Sequence, residues 1–365
     1  MRNKFLSLLF CALLTGMTLI CLLTPDRMFS VREKRKLRQA PEFSMEDLLD
    51  GSFGADLEKY LADQFPGRDG WIAVRTLCDL AMGKRETGGV YIADGGYLID
   101  VFAEYDPVQL EGNLRAVERL CKKLSEQRIP LALMLVPTAQ EILSDKLPPH
   151  APAVDQKQIE DRARSMGLPV VPAVEPLTAH REEPIYYRTD PHYTTLGAWH
   201  CYQAWRAFRG LEEADPEPWT KEVLTGDFLG TSWAKTGLPG VRADTITGWY
   251  IHPHRRVCYN GTEVAEDIFA RDYLDSPEPY GVFLNSNQAL TVIEGSGTAG
   301  KLLLIKDSFG NTFAQFPVEE YAQVHMIDLR FFREDLLDYI RGQEITEVLV
   351  LYGTWNFAAD RNWSW

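Results

Sequence analysis

Short, wholly apolar runs alternate with helical stretches in two parts of this chain, and that alternation limits its fold more than any other feature. Residues 130–136 (Pro-Leu-Ala-Leu-Met-Leu-Val) form an unbroken apolar run, the kind of strand that is buried on both faces. Before it, Leu110, Leu114, Val117, Cys121 and Leu124 recur at spacings of four and three, one apolar face of a helix. A polar helix is expected near 155–166 and a short strand from Leu168 to Val171. The pattern resumes later: strand 301–306, helix near 309–315, strand 322–328, helix 334–341 ended by Gly342, and strand 346–352. Such alternation calls for a parallel sheet with helices on both faces.

The remaining segments read differently. Arg2 and Lys4 precede an uncharged run from Phe5 to Thr24, long enough as a helix to cross a bilayer with its basic end inside. Residues 1–24 therefore read as a retained signal anchor, with a cleaved signal peptide as the competing reading. Either way the body is expected outside the cytoplasm. Residues 25–43 read as a stalk and 44–365 as one catalytic domain. Within that domain, 88–99 has the glycine placement of a hairpin. Thr194 or Thr195 can cap a helix that carries Ala198, Cys201, Tyr202 and Trp205 on one face and ends at Gly210. Residues 211–300 lack a helical period and are rich in aromatics, glycine and proline, so an irregular β-rich insertion is expected. The formal charge of −14, without a basic stripe, argues against a nucleic-acid partner. Cys78, Cys121, Cys201 and Cys258 are too widely spaced for a C-x-x-C site, and buried thiols are expected for Cys121 and Cys201.

Two segments more than a hundred residues apart carry the chemistry. Arg188-Thr-Asp-Pro-His-Tyr-Thr194 offers an acid, Asp190, two positions before an imidazole, His192. In an extended stretch both side chains would leave from the same side. Leu303-Leu-Ile-Lys-Asp-Ser-Phe-Gly-Asn311 places Ser308 where a strand gives way to a helix, beyond the carboxyl end of the strand where ligands gather in such sheets. Backbone N–H groups at the helix start would face an oxyanion formed by attack of Ser308. A serine hydroxyl needs a base, and His192 oriented by Asp190 would supply one. The plainer reading is a serine cap on one helix and an Asp-Pro turn before another.

The sequence resembles the DHHW protein family, which is similar to the SGNH-type domains of alginate O-acetyltransferases. The resemblance runs from about residue 30 to the end. It is carried by Arg32-Glu33 with Leu37 and Pro41, Asp63-Gln-Phe-Pro-Gly-Arg68, and the Arg188–Thr194 segment with Gly197-Ala198. Further on it includes Gly226-Asp-Phe-Leu-Gly-Thr231, Lys235-Thr-Gly237, Val282-Phe-Leu-Asn-Ser-Asn287, Lys306-Asp-Ser-Phe-Gly-Asn311 and Ile327-Asp-Leu-Arg-Phe-Phe332. It implies a three-layer α/β/α SGNH (flavodoxin-like) domain, circularly permuted because Asp190 and His192 precede Ser308. It also implies Ser308 as nucleophile, His192 as base and Asp190 as its orienter. Pro191 and Tyr193 replace the first histidine and the tryptophan of the family's name motif, which puts the local cleft wall in doubt.

Tyr352, Asn356 and Asn287 are further candidates for oxyanion donors, and Arg330 for holding a sugar hydroxyl or carboxylate; loop capping and surface pairing are the alternatives. A competing metal constellation would join His252 and His254 to Asp190 and His192, but Arg255 and Arg256 beside it oppose a cation. Otherwise no metal and no cofactor is expected, and His150, His180, His200 and His325 read as ordinary histidines. The leading expectation is a membrane-anchored, extracytoplasmic O-acyltransferase or acetylesterase acting on a cell-surface polysaccharide. By similarity to the alginate system, a membrane-bound O-acyltransferase would deliver acetyl groups. The competing class is a non-catalytic carbohydrate-binding or assembly protein, with Trp199, Trp205, Trp219, Trp233, Trp249, Trp355, Trp363 and Trp365 as sugar-facing surfaces.

Overall fold

The computed structural model describes residues 2–30, 32, 35–252 and 254–363. It divides into two compact units, Met1–Thr87 with Ala234–Gly240, and Gly88–Trp233 with Val241–Trp365.

The smaller unit begins with helix α1 (Arg2–Leu23), whose stretch Lys4–Leu23 is long and apolar enough to cross a membrane, with none of it buried. Helices α2 (Ser52–Asp63) and α3 (Arg68–Ala81) follow. The Asp63–Arg68 motif is the corner between them. Gly67 there adopts a left-handed φ of 68°, which glycine takes without a Cβ penalty. Asp63 accepts hydrogen bonds from Arg35 Nη1 and from the Arg38 N–H, both at 2.8 Å. The Arg35 side chain outweighs burial and holds this acid at about 2. Part of the stretch read as a stalk is thus tied to the helix corner. Val31, Glu33 and Lys34, also in that stretch, lie outside the described residues.

The larger unit carries the alternating pattern. Helix α4 (Pro107–Glu126) starts at Asp106, whose carboxylate accepts the Val108 N–H, with Pro107 at the first helical position where no donor is missed. Then come strand β1 (Leu131–Val136) and helices α5 (Gln156–Ser165), α6 (Val174–Ala179) and α7 (Thr195–Phe208). Later elements are β2 (Val257–Tyr259), β3 (Glu263–Ala265), β4 (Leu290–Glu294), β5 (Lys301–Lys306), α8 (Phe309–Phe313), β6 (Gln323–Ile327), α9 (Leu336–Gly342), β7 (Glu347–Gly353) and α10 (Thr354–Ala359). The seven-stranded sheet has the order β3-β2-β4-β6-β5-β7-β1. Four strands, β6-β5-β7-β1, are parallel as the apolar runs demand.

The sheet is nevertheless mixed rather than parallel. Strands β4, β2 and β3 add to the β6 edge in antiparallel fashion. They come from the 211–300 region, which is therefore only partly an irregular insertion: its second half covers an edge that would otherwise leave unpaired backbone groups open to solvent. Asn260 and Gly261, both at positive φ, turn the chain between β2 and β3. Its first half holds the antiparallel pair Thr220–Phe228 and Asp244–Tyr250. The strand expected at 168–171 shrinks to a single parallel bridge between Leu133 and Val170. Pro169 has no N–H to give to a ladder, and Pro172 ends the run.

Alternation along each strand feeds two cores. Leu303, Ile305, Val348, Val350 and Leu133 pack with Leu114 and Leu120 of α4, Ile340 of α9 and Phe357 of α10. Leu302, Leu304, Leu349, Leu351 and Met134 pack with Tyr202 and Trp205 of α7 and Phe313 of α8. Burial of β5 between these cores fixes where its last residues emerge.

Candidate active site

Ser308 emerges two residues beyond the end of β5, at the start of α8. Its hydroxyl caps nothing. The first N–H groups of the helix are met by other partners: Phe309 donates to Asp307 Oδ1 at 2.9 Å, Gly310 to the Asp307 carbonyl at 3.1 Å and Asn311 to the Ser308 carbonyl at 3.3 Å. The Ser308 Oγ instead lies 2.7 Å from His192 Nε2. Of the N–H groups at this helix start, those of Phe309, Gly310 and Asn311 are thus already bonded within the turn.

The imidazole is fixed from three sides. His192 Nδ1 lies 2.6 Å from Asp190 Oδ1, so an Nδ1–H donates to the carboxylate and Nε2 turns its lone pair to the serine. The ring stacks on Tyr280, with centroids 4.1 Å apart and planes at 14°. Tyr280 is itself held, its hydroxyl donating to the Ser308 carbonyl at 3.2 Å and bonded to Thr312 Oγ1 at 2.8 Å.

Asp190 is 2% exposed. The segment around it is a bend, not the extended stretch expected, because Asp190 Oδ1 accepts the His192 N–H at 3.2 Å within the loop. Oδ2 accepts the Thr231 N–H at 2.9 Å and its hydroxyl at 3.2 Å. Burial would push the Asp190 carboxyl up, but the charge of His192 and the hydrogen bonds from His192 and Thr231 outweigh it and hold the acid at about 2. Gly230 lets this contact form: a Cβ there would fall 2.2 Å from the Cβ of Asp190. Asp244 steadies the same loop, accepting the Arg188 and Thr189 N–H groups at 3.0 and 2.8 Å and the Thr189 hydroxyl at 2.6 Å.

Three of the secondary candidates, Asn287, Arg330 and Asn356, are engaged with other polar partners. Asn287 Oδ1 accepts from Lys306 Nζ and from Asn311 Nδ2, both at 3.3 Å, in a buried polar cluster. Lys306 in that cluster is pushed down to about 8 by burial, with Asp328 Oδ2 3.7 Å away. Arg330 closes on Asp328 through Nε at 2.9 Å and Nη2 at 2.6 Å. Gly310 makes room for the lysine stem, since a Cβ there would come within 2.5 Å of the Lys306 Cβ. Asn356 Nδ2 donates to Asp307 Oδ2 at 2.7 Å, and Tyr352 packs between Phe357 and Trp363. Tyr193 is buried in the core, its hydroxyl donating to the Phe309 carbonyl at 2.7 Å, so it supports α8 rather than forming an exposed wall.

The competing arrangements do not assemble. His252 Nδ1 pairs with Glu319 at 3.0 Å, while His254 lines a cleft of about 570 Å³ with Glu263 and Asp267. Pro253 between them lies outside the described residues. Trp199, Trp205, Trp219, Trp249 and Trp363 are core residues, and Trp365 lies outside the described residues. Sequence reasoning missed Tyr280, Thr231, Asp244 and Asp307. For Thr231 a signal existed, since the Gly226–Thr231 motif stood out without a role. For Tyr280 there was only the aromatic richness of its region.

The profile of the family described as DHHW protein matches residues 33–91 and 134–327, well over half of the sequence and including Asp190, His192 and Ser308. The chain belongs to the DHHW protein family. A DHHW family protein from Eubacterium siraeum DSM 15702 shares the fold at TM-score 0.63 and 23% identity, over 76% of this chain and 94% of that one. Bacillus cereus PatB1 does so at TM-score 0.62 and 19% identity, over 74% and 97%. A second PatB1 structure, with a sulfonyl adduct, gives 0.62 and 18%, over 75% and 98%. No curated protein matches the sequence.

Proposed function

We propose that this chain is an extracytoplasmic, SGNH-like O-acyltransferase or acetylesterase that acts on O-acetyl groups of a cell-surface polysaccharide through Ser308, His192 and Asp190. One observation carries the reading. Ser308 heads a helix yet spends its hydroxyl on an imidazole that is itself held by a buried carboxylate. A capping serine would do the reverse.

The chemistry follows from the polarity of the chain of bonds. Ser308 Oγ attacks the carbonyl carbon of an acetyl ester while its proton passes to His192 Nε2. Asp190 stabilises the resulting imidazolium, which lies against the face of the Tyr280 ring. The tetrahedral intermediate collapses as the donor alcohol leaves with the proton from His192. A sugar hydroxyl, or water, then gives its proton to His192 and attacks the acetyl-serine, releasing the ester product, or acetate, and restoring the serine. Exclusion of water decides between transfer and hydrolysis. The sulfonyl adduct of PatB1 supports an activated nucleophile within this fold.

The order Asp190, His192, Ser308 in a sheet with cores on both faces fits a circularly permuted three-layer α/β/α domain. Helix α1 serves as the membrane tether with the catalytic region, residues 44–365, outside the cytoplasm. The sequence resemblance to alginate O-acetyltransferases supports acetyl as the group and a membrane-bound acyltransferase as its supplier.

The test is labelling of the folded protein with a fluorophosphonate, together with turnover of p-nitrophenyl acetate. Both should occur in the wild type and vanish in Ser308→Ala. Absence of labelling in folded wild type, or its persistence in the variant, would reject the serine mechanism.

A further inference from the structure

Away from Ser308, three side chains converge that no sequence spacing announced. His180 follows the last turn of α6, Glu183 lies in the loop beyond it, and His200 sits within α7. His180 Nδ1 is 2.7 Å from Glu183 Oε1, and His200 Nε2 is 3.2 Å from Glu183 Oε2. The two rings lie face to face, with centroids 3.6 Å apart and planes at 15°. The three ligand atoms all fall within 4.8 Å of one another. Two imidazoles therefore turn a nitrogen towards one carboxylate from the same side.

We propose that His180, Glu183 and His200 form a binding site for a divalent transition metal ion, with zinc as the best match. Two neutral imidazoles and one carboxylate suit a borderline cation, and bonds of roughly 2.0–2.2 Å place tetrahedral ligands roughly 3.4 Å apart. To bind one ion the two rings must turn out of their stack, so that each nitrogen lone pair points at it. Solvent would fill the fourth position, since His180 and Glu183 are half-exposed while His200 is largely enclosed. The site is a brace. Glu183 stands two residues before Ile185, whose carbonyl accepts the Thr194 N–H at 2.9 Å, and the Pro184 carbonyl accepts the Thr194 hydroxyl at 2.7 Å. Between those anchors runs the loop with Asp190 and His192. A metal here would tie α6 and α7 to the base of that loop and take no part in chemistry at Ser308.

The test uses the full chain without a polyhistidine tag, purified in detergent, stripped with EDTA and titrated calorimetrically with zinc chloride. One zinc should bind per chain, and His180→Ala, Glu183→Gln and His200→Ala should each weaken it roughly tenfold or more. Zinc should raise the unfolding temperature of the wild type and not of the variants, because a ligand stabilises only the state it binds. His180→Ala alters a half-exposed side chain and keeps the test valid should His200→Ala misfold. Zinc bound equally by wild type and His180→Ala, or not bound by the folded wild type, would overturn the proposal. So would a lone Ser308→Ala substitution abolishing zinc binding, which would put the metal at the serine instead.

Discussion

Two histidine–carboxylate groupings in this chain, at His192 and at His180 with His200, stand in opposite settings. At His192 the carboxylate of Asp190 is buried, accepts four hydrogen bonds, two from backbone N–H groups and two from side chains, and leaves the imidazole one orientation. At His180 and His200 the carboxylate of Glu183 is half-exposed and divided between two rings. The chemical groups are alike, but the surroundings differ. A buried, multiply bonded acid stays ionised and fixes a tautomer, whereas a solvated acid shared by two rings can exchange one partner for another. Orientation belongs to the first site and exchangeability to the second.

The largest effects should separate the first site from any merely structural pairing. Ser308→Ala should lower p-nitrophenyl acetate turnover by on the order of 10⁴-fold or more while the protein remains folded. Asp190→Asn keeps the shape but turns the imidazole the wrong way, so a loss of about 10³- to 10⁴-fold in kcat is expected. If Asp190→Asn costs less than tenfold in kcat, the buried acid does not orient His192 and the contrast between the pairs collapses. Tyr280→Leu, which removes the ring face from the imidazolium, should cost about tenfold, and Tyr280→Phe much less. Equal losses in the two would assign the effect to the tyrosine hydroxyl.

How much of this was legible in the sequence depends on whether the cause is local. The β5 run, β7 beside it, β1 beyond β7, and α4 with α7 follow from apolar period and caps, so they match closely. Thr194 caps α7 as its position suggested, accepting the Gly197 N–H at 3.3 Å. The antiparallel additions β2 to β4 were not legible, because their pairing depends on an open edge of β6 that only the assembled sheet has. The same holds within the site. Ser308, His192 and Asp190 stood out because their residue types and positions suggest chemistry by themselves. Thr231 and Tyr280 act through where the chain brings them, and His180, Glu183 and His200 have no motif spacing.

Acid unfolding probes the buried acid on its own. The folded value for Asp190, about 2, lies below its ordinary 3.8. Its contribution is therefore fully present above about pH 4 and is lost as pH falls through about 2, amounting to about 2 kcal/mol. Stability of the wild type should fall over that window more steeply than that of Asp190→Asn, measured by denaturant titration at each pH. Parallel curves would show that the acid gains nothing from its partners.

The smallest effect is expected at the solvated pair. Glu183 is held below the usual carboxylate range first by its hydrogen bond to His180, with burial opposing and His200 adding to it. Because Glu183 and His180 are both half-exposed, water replaces much of what Glu183→Gln removes, and the amide oxygen can still accept one ring N–H. In zinc-free buffer at neutral pH the substitution should cost under about 1 kcal/mol in denaturant unfolding. A cost equal to the one at Asp190 would mean that the two pairs are braced alike without metal, and that solvent exposure does not distinguish them.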